Sequence, residues 1–439
     1  MSQHPDAGGS AGLAPHQRPA GDSPDGSPPP GSPRQDAAGQ GLPGLSQGSP
    51  REVLGIFARL GVSCFGGPIA HLGYFRDEFV VRRHWLDDHA YADLVGLCQF
   101  LPGPASSQVG FAIGLMRAGF AGALAAWTGF TLPSAIILVL FAYGAGALSG
   151  PMGAGLLHGL KLVAVAIVAQ AVLGMARTLC PDRERASIAA AAALIILSSS
   201  NSLAQIATIA LGGLAGLWLC RSGAAPPGGR LAVAVPRTVG FLSLAAFFVI
   251  LLGLPVVRGL VAAPAVALFE AFYRSGALVF GGGHVVLPLL RQAFVGPGWV
   301  SDSTFLAGYG AAQAVPGPLF TFAAYLGAVV APQPHGIAGA VLGLFGIFLP
   351  GILILVGTLP FWEAFRTRPL AQAAMRGVNA AVVGLLAAAL YNPLWTSAVL
   401  SPRDFGIALV GFVLLVAWRA PPLLVVCLSA LAGAALALF

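Results

Sequence analysis

Charge is what this chain has least of. Of its 439 residues only 9% are Asp, Glu, Lys or Arg, and Lys161 is the single lysine. Soluble domains carry about 25% charged residues, so a globular, water-facing surface is excluded. Cysteine is scarce as well. Cys64, Cys98, Cys180, Cys220 and Cys427 are scattered, with no CxxC pair and no metal-ligand spacing, which predicts free thiols and no metal site. The apolar stretches lack the alternating polarity of β-barrel strands. There is no nucleotide or flavin fingerprint and no polar domain large enough to house a cofactor, so no cofactor is expected. That weighs against a membrane-bound redox enzyme.

Apolar sequence fills the space that charge leaves. The hydrophobic share is 56% and the mean hydropathy +0.81. Runs such as "AGALAAWTGFTLPSAIILVLFAYGAGAL" (Ala121 to Leu148) exceed the 20 or so residues that cross roughly 30 Å of hydrocarbon. The expected fold is an all-α polytopic membrane protein. Thirteen apolar segments can be counted, near 53–75, 90–116, 119–148, 153–176, 186–200, 203–220, 240–257, 262–290, 303–331, 336–361, 370–391, 404–418 and 422–438. Two of them, 186–200 and 404–418, are short enough to be non-spanning. Residues 1–50, rich in Gly, Pro and Ser without a signal-peptide core, read as a disordered tail. A Pro/Gly/Arg linker at 221–239 separates a repeat at 51–220 from one at 240–439, the latter with an extra leading helix.

The net charge of +7 comes from arginines in the short loops, which suits the positive-inside rule better than nucleic-acid binding. With alternating crossings, one face collects fifteen arginines and the other Arg76, Arg82, Arg83, Arg258 and Arg403. This predicts a cytoplasmic N-terminus and a periplasmic C-terminus. The cluster Arg76, Arg82, Arg83 is the misfit.

The chain repeats itself. "FARLGVSCFGG" (Phe57 to Gly67) returns as "FYRSGALVFGG" (Phe272 to Gly282), and "QFLPGP" (Gln99 to Pro104) as "QAVPGP" (Gln313 to Pro318). Trp85 and Asp88 match Trp299 and Asp302, and "FTLPS" (130–134) matches "IFLPG" (347–351). Seven segments separate the repeat starts. If the first two of each repeat are re-entrant, five do. Either odd number inverts the second copy, and inverted repeats with interrupted helices mark secondary transporters.

Each repeat has two breaks: Gly66-Gly67-Pro68 and Pro102-Gly103-Pro104, then Gly281-Gly282-Gly283 and Pro316-Gly317-Pro318. Proline and glycine end helices, and backbone groups freed inside hydrocarbon cost several kcal/mol unless they line a cavity or meet a ligand. Half-helices starting at such breaks aim unpaired N–H groups and positive dipole ends at one region, an anion site. Ordinary membrane-helix kinks are the alternative. Arg59 and Arg274, two turns before their breaks, would balance an anionic substrate; interfacial snorkelling is the alternative, or pairing with Glu270 for Arg274. Gln99, Gln108 and Gln313 are placed either to donate to oxyanion oxygens or to cap freed backbone. Lys161, Glu270, His71 and His284 are the proton-coupling candidates.

These motifs, "FARLGVSCFGGPIAHLGYF", "QFLPGPASSQVGFAIG" and "FGGGHVVLPLL … QAVPGPLFTFAAYLG", resemble the chromate ion transporter family of the long, two-domain type, over roughly residues 51 to 439. The resemblance implies secondary active export of chromate across the bacterial inner membrane, conferring resistance, driven by the membrane potential or a proton gradient. Transport or exchange of sulfate or another tetrahedral oxyanion is the alternative, and a chromate reductase or a membrane scaffold fits less well. It implies a substrate region of Arg59, Gly66, Gly67, Pro68, Gln99, Pro102, Gly103, Pro104, Arg274, Gly281, Gly282, Gln313, Pro316, Gly317 and Pro318. The partners would be chromate and the lipid bilayer, not nucleic acid, with a homodimer as one assembly open to the chain.

Overall fold

A computed structural model describes residues 48–65, 67–145, 150–198, 202–221, 235–261, 263–280, 283–362 and 368–438. Most of the predicted tail and linker, and the break residues Gly66, Gly281 and Gly282, lie outside the described residues. Within them the protein is helical, without a strand.

The first half begins with three short rods and a long, folded one. Helix α1 (Pro50–Ser63) is followed after the break by α2 (Gly67–Arg76), which continues as a π-turn through Arg82. Then come α3 (Asp88–Phe100) and, after Pro102-Gly103-Pro104, the long α4 (Ala105–Ala145). Ser49 and Asp87 cap α1 and α3 through their side chains, accepting from the amides of Glu52 and Ala90. Ala118 and Gly119 leave helical geometry and fold α4 into an inbound arm and a long outbound one. The remaining helices of this half are α5 (Pro151–Leu179), α6 (Arg183–Ser198) and α7 (Ser202–Leu219). Asp182 caps α6 by accepting from the Arg185 amide, and hydrogen bonds from Arg185 hold its carboxyl below the usual carboxylate range.

The second half repeats this order. After α8 (Arg237–Leu260) come α9 (Pro264–Ala277), α10 (Val286–Phe294), α11 (Asp302–Ala314) and α12 (Phe322–Val329). The long rods α13 (Gly336–Thr358), α14 (Pro369–Ala389), α15 (Pro402–Val416) and α16 (Pro422–Leu436) complete it. Contacts recur between halves. Arg76 bonds Asp88 and Arg291 bonds Asp302, each through Nε at 2.8 Å. Phe79 packs on Trp85 as Phe294 packs on Trp299, with ring centroids 5.0 and 5.8 Å apart.

The short rods turn back instead of crossing. Glu52, at the start of α1, receives Arg117 at 3.2 Å, from the far end of the inbound arm, and Arg83 at 3.9 Å. Arg83 also pairs with Glu78 at 2.6 Å, and the Arg117 guanidinium lies 4.6 Å over the Trp85 ring. Residues 52, 83, 85 and 117 therefore share one end of the molecule. The segments at 53–75 and 90–116 are hairpins of half-helices. The physical reason is length: 14 residues of α1 rise about 21 Å, short of the roughly 30 Å hydrocarbon core. The same holds for α9–α10 and α11–α12, where Ala331 donates to the Trp299 carbonyl at 3.0 Å and Tyr325 to that of Thr304 at 3.0 Å.

These hairpins open at the end where Gly336 lies against the Tyr143 hydroxyl, the other end of the outbound arm from Arg117. The misfit of Arg76, Arg82 and Arg83 disappears, because a hairpin returns them to the end where α1 starts. Arg291 moves the opposite way.

Among the described residues five helices are long and apolar enough to cross a membrane, Ala105–Gly144, Pro151–Leu179, Arg237–Leu260, Gly336–Phe361 and Pro369–Ala398. The protein is an integral membrane protein. Its rods cross at small residues: a side chain on Gly61 would stand 2.6 Å from the Gly129 carbonyl, and Gly276 packs as tightly on Ile347. All five cysteines are free, as the spacing predicted.

Candidate functional site at the helix breaks

The breaks of the two halves cap one another. Gly103 donates its amide to the carbonyl of Val279, at the end of α9, at 2.7 Å. Gly317 donates to the carbonyl of Cys64, at the end of α1, at 2.9 Å. Both turns need glycine. Gly103 has φ +122° and would press a side chain to 2.9 Å from Gly351 Cα; Gly317 has φ +96° and would meet Ser134 Oγ at 2.9 Å. The first breaks also meet, since Gly283 packs on Pro68 and the His284 ring faces Gly67. Leu101 to Pro104 and Pro316 to Pro318 are buried.

Buried polar side chains surround these turns. His71 Nδ1 lies 3.4 Å from Ser106 Oγ, and the ring packs edge-on against Phe130, centroids 5.2 Å apart. His71, Ser106, Ser107, Gln108, Thr131 and Ser134 are all 5% exposed or less, so no bulk water reaches them. Ser134 returns its hydroxyl to the Thr131 carbonyl at 3.0 Å and His71 also meets the Cys64 backbone, but Ser107 Oγ and Thr131 Oγ1 have no partner. In the other half His284 Nδ1 lies 2.9 Å from the Tyr309 hydroxyl, which Gln313, one turn along α11, also approaches. Buried polar atoms are normally satisfied. Open hydroxyls here lie beside the first turn of the inbound arm, whose initial N–H groups have no intrahelical acceptor, and such groups are chemically suited to an anion.

The sequence profile described as chromate transporter matches residues 51–217 and 266–434. The chain belongs to the chromate transporter family. Its two matched regions fit a repeat. Among similar proteins is a chromate transport protein of Pseudomonas aeruginosa, 27% identical over 379 residues, covering 84% of this chain and 87% of the relative. A probable chromate transport protein of Synechococcus elongatus is 27% identical over 405 residues, 88% of this chain and 95% of that one. A chromate transport protein of Cupriavidus metallidurans is 25% identical over 352 residues, 77% and 81% of the two chains. No solved structure matches.

Within this chain the residues singled out from sequence divide. Gly67, Pro68, Pro102, Gly103, Pro104, Pro316, Gly317 and Pro318 are brought together at the breaks, with His71, His284 and Gln313 beside them. Gln108 serves the backbone: its Nε2 donates to the Pro102 carbonyl at 3.0 Å and to Gly351 at 2.9 Å. Arg59 and Gln99 are exposed on α1 and α3. Arg274 is paired with Glu270 at 3.1 Å, as is Arg258. Lys161 is half-buried on α5 and interacts with Asp302 rather than with the breaks.

Ser106, Ser107, Thr131 and Tyr309 were not legible as site residues. One signal was present in the sequence: a hydroxyl residue stands four places past each Pro-Gly-Pro glycine, Ser107 and Thr321. Thr321 spends its hydroxyl on the Pro318 carbonyl at 2.7 Å, whereas Ser107 keeps its own free for a ligand.

Proposed function

We propose that this chromate transporter is a secondary active exporter of chromate in a bacterial inner membrane, conferring resistance, built from two inverted repeats around an oxyanion site at the paired breaks. Its N-terminus is cytoplasmic and its C-terminus periplasmic. The observation carrying the proposal is the pair of buried hydroxyls without partners, Ser107 Oγ and Thr131 Oγ1, beside glycine turns that each half caps for the other.

A dianion leaving water loses a large hydration energy, which an apolar bilayer centre does not replace. Fixed neutral donors replace it without the desolvation cost of burying arginines. Four tetrahedrally disposed oxygens suit donors converging from several helices. Because each break is capped by the opposite half, a rocking of one half against the other would open the pocket to one end and then to the other. Arg59, exposed on α1, would act earlier, raising the local oxyanion concentration at the entrance. The family relatives named for chromate support the substrate; sulfate, of the same shape and charge, is the second reading.

The test is accumulation of labelled chromate in everted vesicles carrying the full chain, with sulfate in excess as competitor. Uptake that sulfate blocks only weakly supports chromate export. Uptake of sulfate but not chromate turns the assignment to the second reading, and no uptake of either overturns it.

A further inference from the structure

We infer that the cavity between the last turns of α8 and the middle and last turn of α9 is a second oxyanion site, and that Glu270 takes up a proton when an oxyanion binds there. The inference rests on the proposed transport of an oxyanion and adds where a proton is coupled to it. The cavity has a volume of about 320 Å³ and is lined by Pro255, Arg258, Gly259, Glu270 and Arg274. A water molecule occupies about 30 Å³ of liquid, so a tetrahedral oxyanion fits with several waters.

Glu270 is held here as an oxyanion would be. Arg258 Nη1 donates to Oε2 at 3.1 Å, and Arg274 Nη1 stands 3.1 Å from Oε1. Yet Oε1 is buried without a hydrogen bond, so the Arg274 contact is Coulombic and its N–H groups are not aimed at the carboxylate. The carboxylate lies at the back of the cavity, 2% exposed, while the Arg258 and Arg274 side chains, 45% and 34% exposed, form its outer wall. An arriving dianion therefore meets the guanidiniums first and competes with Glu270 for them.

Once it does, Glu270 is a buried carboxylate without a counter-ion, a state that costs several kcal/mol and that protonation relieves. No neighbouring group supplies a substitute. Among the described residues, α8 offers only Arg258 at this end, with Arg237 at the other. On α9 itself Tyr273 is committed to the Phe247 carbonyl at 3.1 Å, α13 has no titratable side chain, and Arg291 on α10 is bridged to Asp302. The first half has no such device. Gly55 stands where Glu270 stands in the repeat, in open space with no atom within 4 Å of the point a β-carbon would occupy, and Arg59 has no ion pair among the described residues. The proton-linked site belongs to one end only.

The test is calorimetric titration of the full-length protein in lipid nanodiscs with chromate, in two buffers of different ionisation heat, for the wild type and Glu270→Gln. The wild type is expected to take up about one more proton per protein than the variant. Its outer-site affinity should rise about tenfold for each unit fall in pH relative to the variant, as one linked proton requires; chromate's own protonation is common to both and cancels. Equal proton counts overturn the inference, as does a wild type that takes up none, a result needing no folded variant. Absence of chromate binding together with absence of vesicle uptake by the wild type overturns the transport proposal instead.

Discussion

The amide of Gly103 donates to the carbonyl of Val279 at 2.7 Å, so the turn of one half closes the half-helix of the other. With the Gly317–Cys64 bond it makes the centre of the protein a shared object. Each half leaves a helix-end carbonyl, Cys64 or Val279, for the other half's turn amide, and in a bilayer water is not available to replace it.

The two turns should differ in their tolerance of a side chain. Gly103→Ala meets Gly351 backbone at 2.9 Å, which cannot swing aside, while Gly317→Ala first meets the Ser134 hydroxyl at 2.9 Å. Both also force alanine into a backbone region costing about 1–3 kcal/mol. Thermal unfolding in detergent should show Gly103→Ala as the more damaging. Equal or reversed losses would contradict the packing described.

Gln108 should prove a structural residue. Gln108→Leu leaves the Pro102 carbonyl buried and unpaired, at about 1–3 kcal/mol, and removes a second bond from the Gly351 carbonyl inside α13. Gln108→Glu should be less stable at high pH than at low pH, because the protonated acid keeps one donor and the carboxylate has none. A variant insensitive to pH would show that the two carbonyls find other donors.

The hairpins can be tested by labelling. In a Cys427→Ser background, cysteines at Arg51 and His89, both exposed, should react with an impermeant thiol reagent from the same side of the membrane. Reaction from opposite sides would restore a crossing between them.

Much of this architecture was legible because glycine and proline act on the backbone whatever surrounds them; the breaks and the repeat could be read from Phe57 to Gly67 and Gln99 to Pro104 alone. The direction of the short rods was not, since an apolar half-helix and an apolar crossing differ in composition hardly at all. Only the three arginines on the wrong face hinted at it. Arg59 and Arg274 look equivalent by spacing, yet Arg258, sixteen residues before Arg274, joins Glu270 in setting them apart. Hydroxyl groups were hardest. Ser275 and Thr358 spend theirs on the carbonyl four residues earlier, at 2.7 and 2.6 Å, while Ser107 and Thr131 do not, and that choice is made by packing.

That difference separates binding from stability. Ser107→Ala and Thr131→Val remove hydroxyls that have no partner in the folded protein, so unfolding temperatures should hold or rise slightly. Chromate uptake should nevertheless fall at least tenfold in the double variant, about 1.4 kcal/mol of lost binding. Unchanged uptake would remove both from the site.

The most direct measurement is the position of chromium in crystals of the full-length protein grown with chromate, located by its anomalous scattering. A peak within hydrogen-bonding reach of Ser107, Thr131 and His71, between the Gly103 and Gly317 turns, is the expected result. Chromium bound only elsewhere, with those turns empty, would contradict an oxyanion site at the breaks.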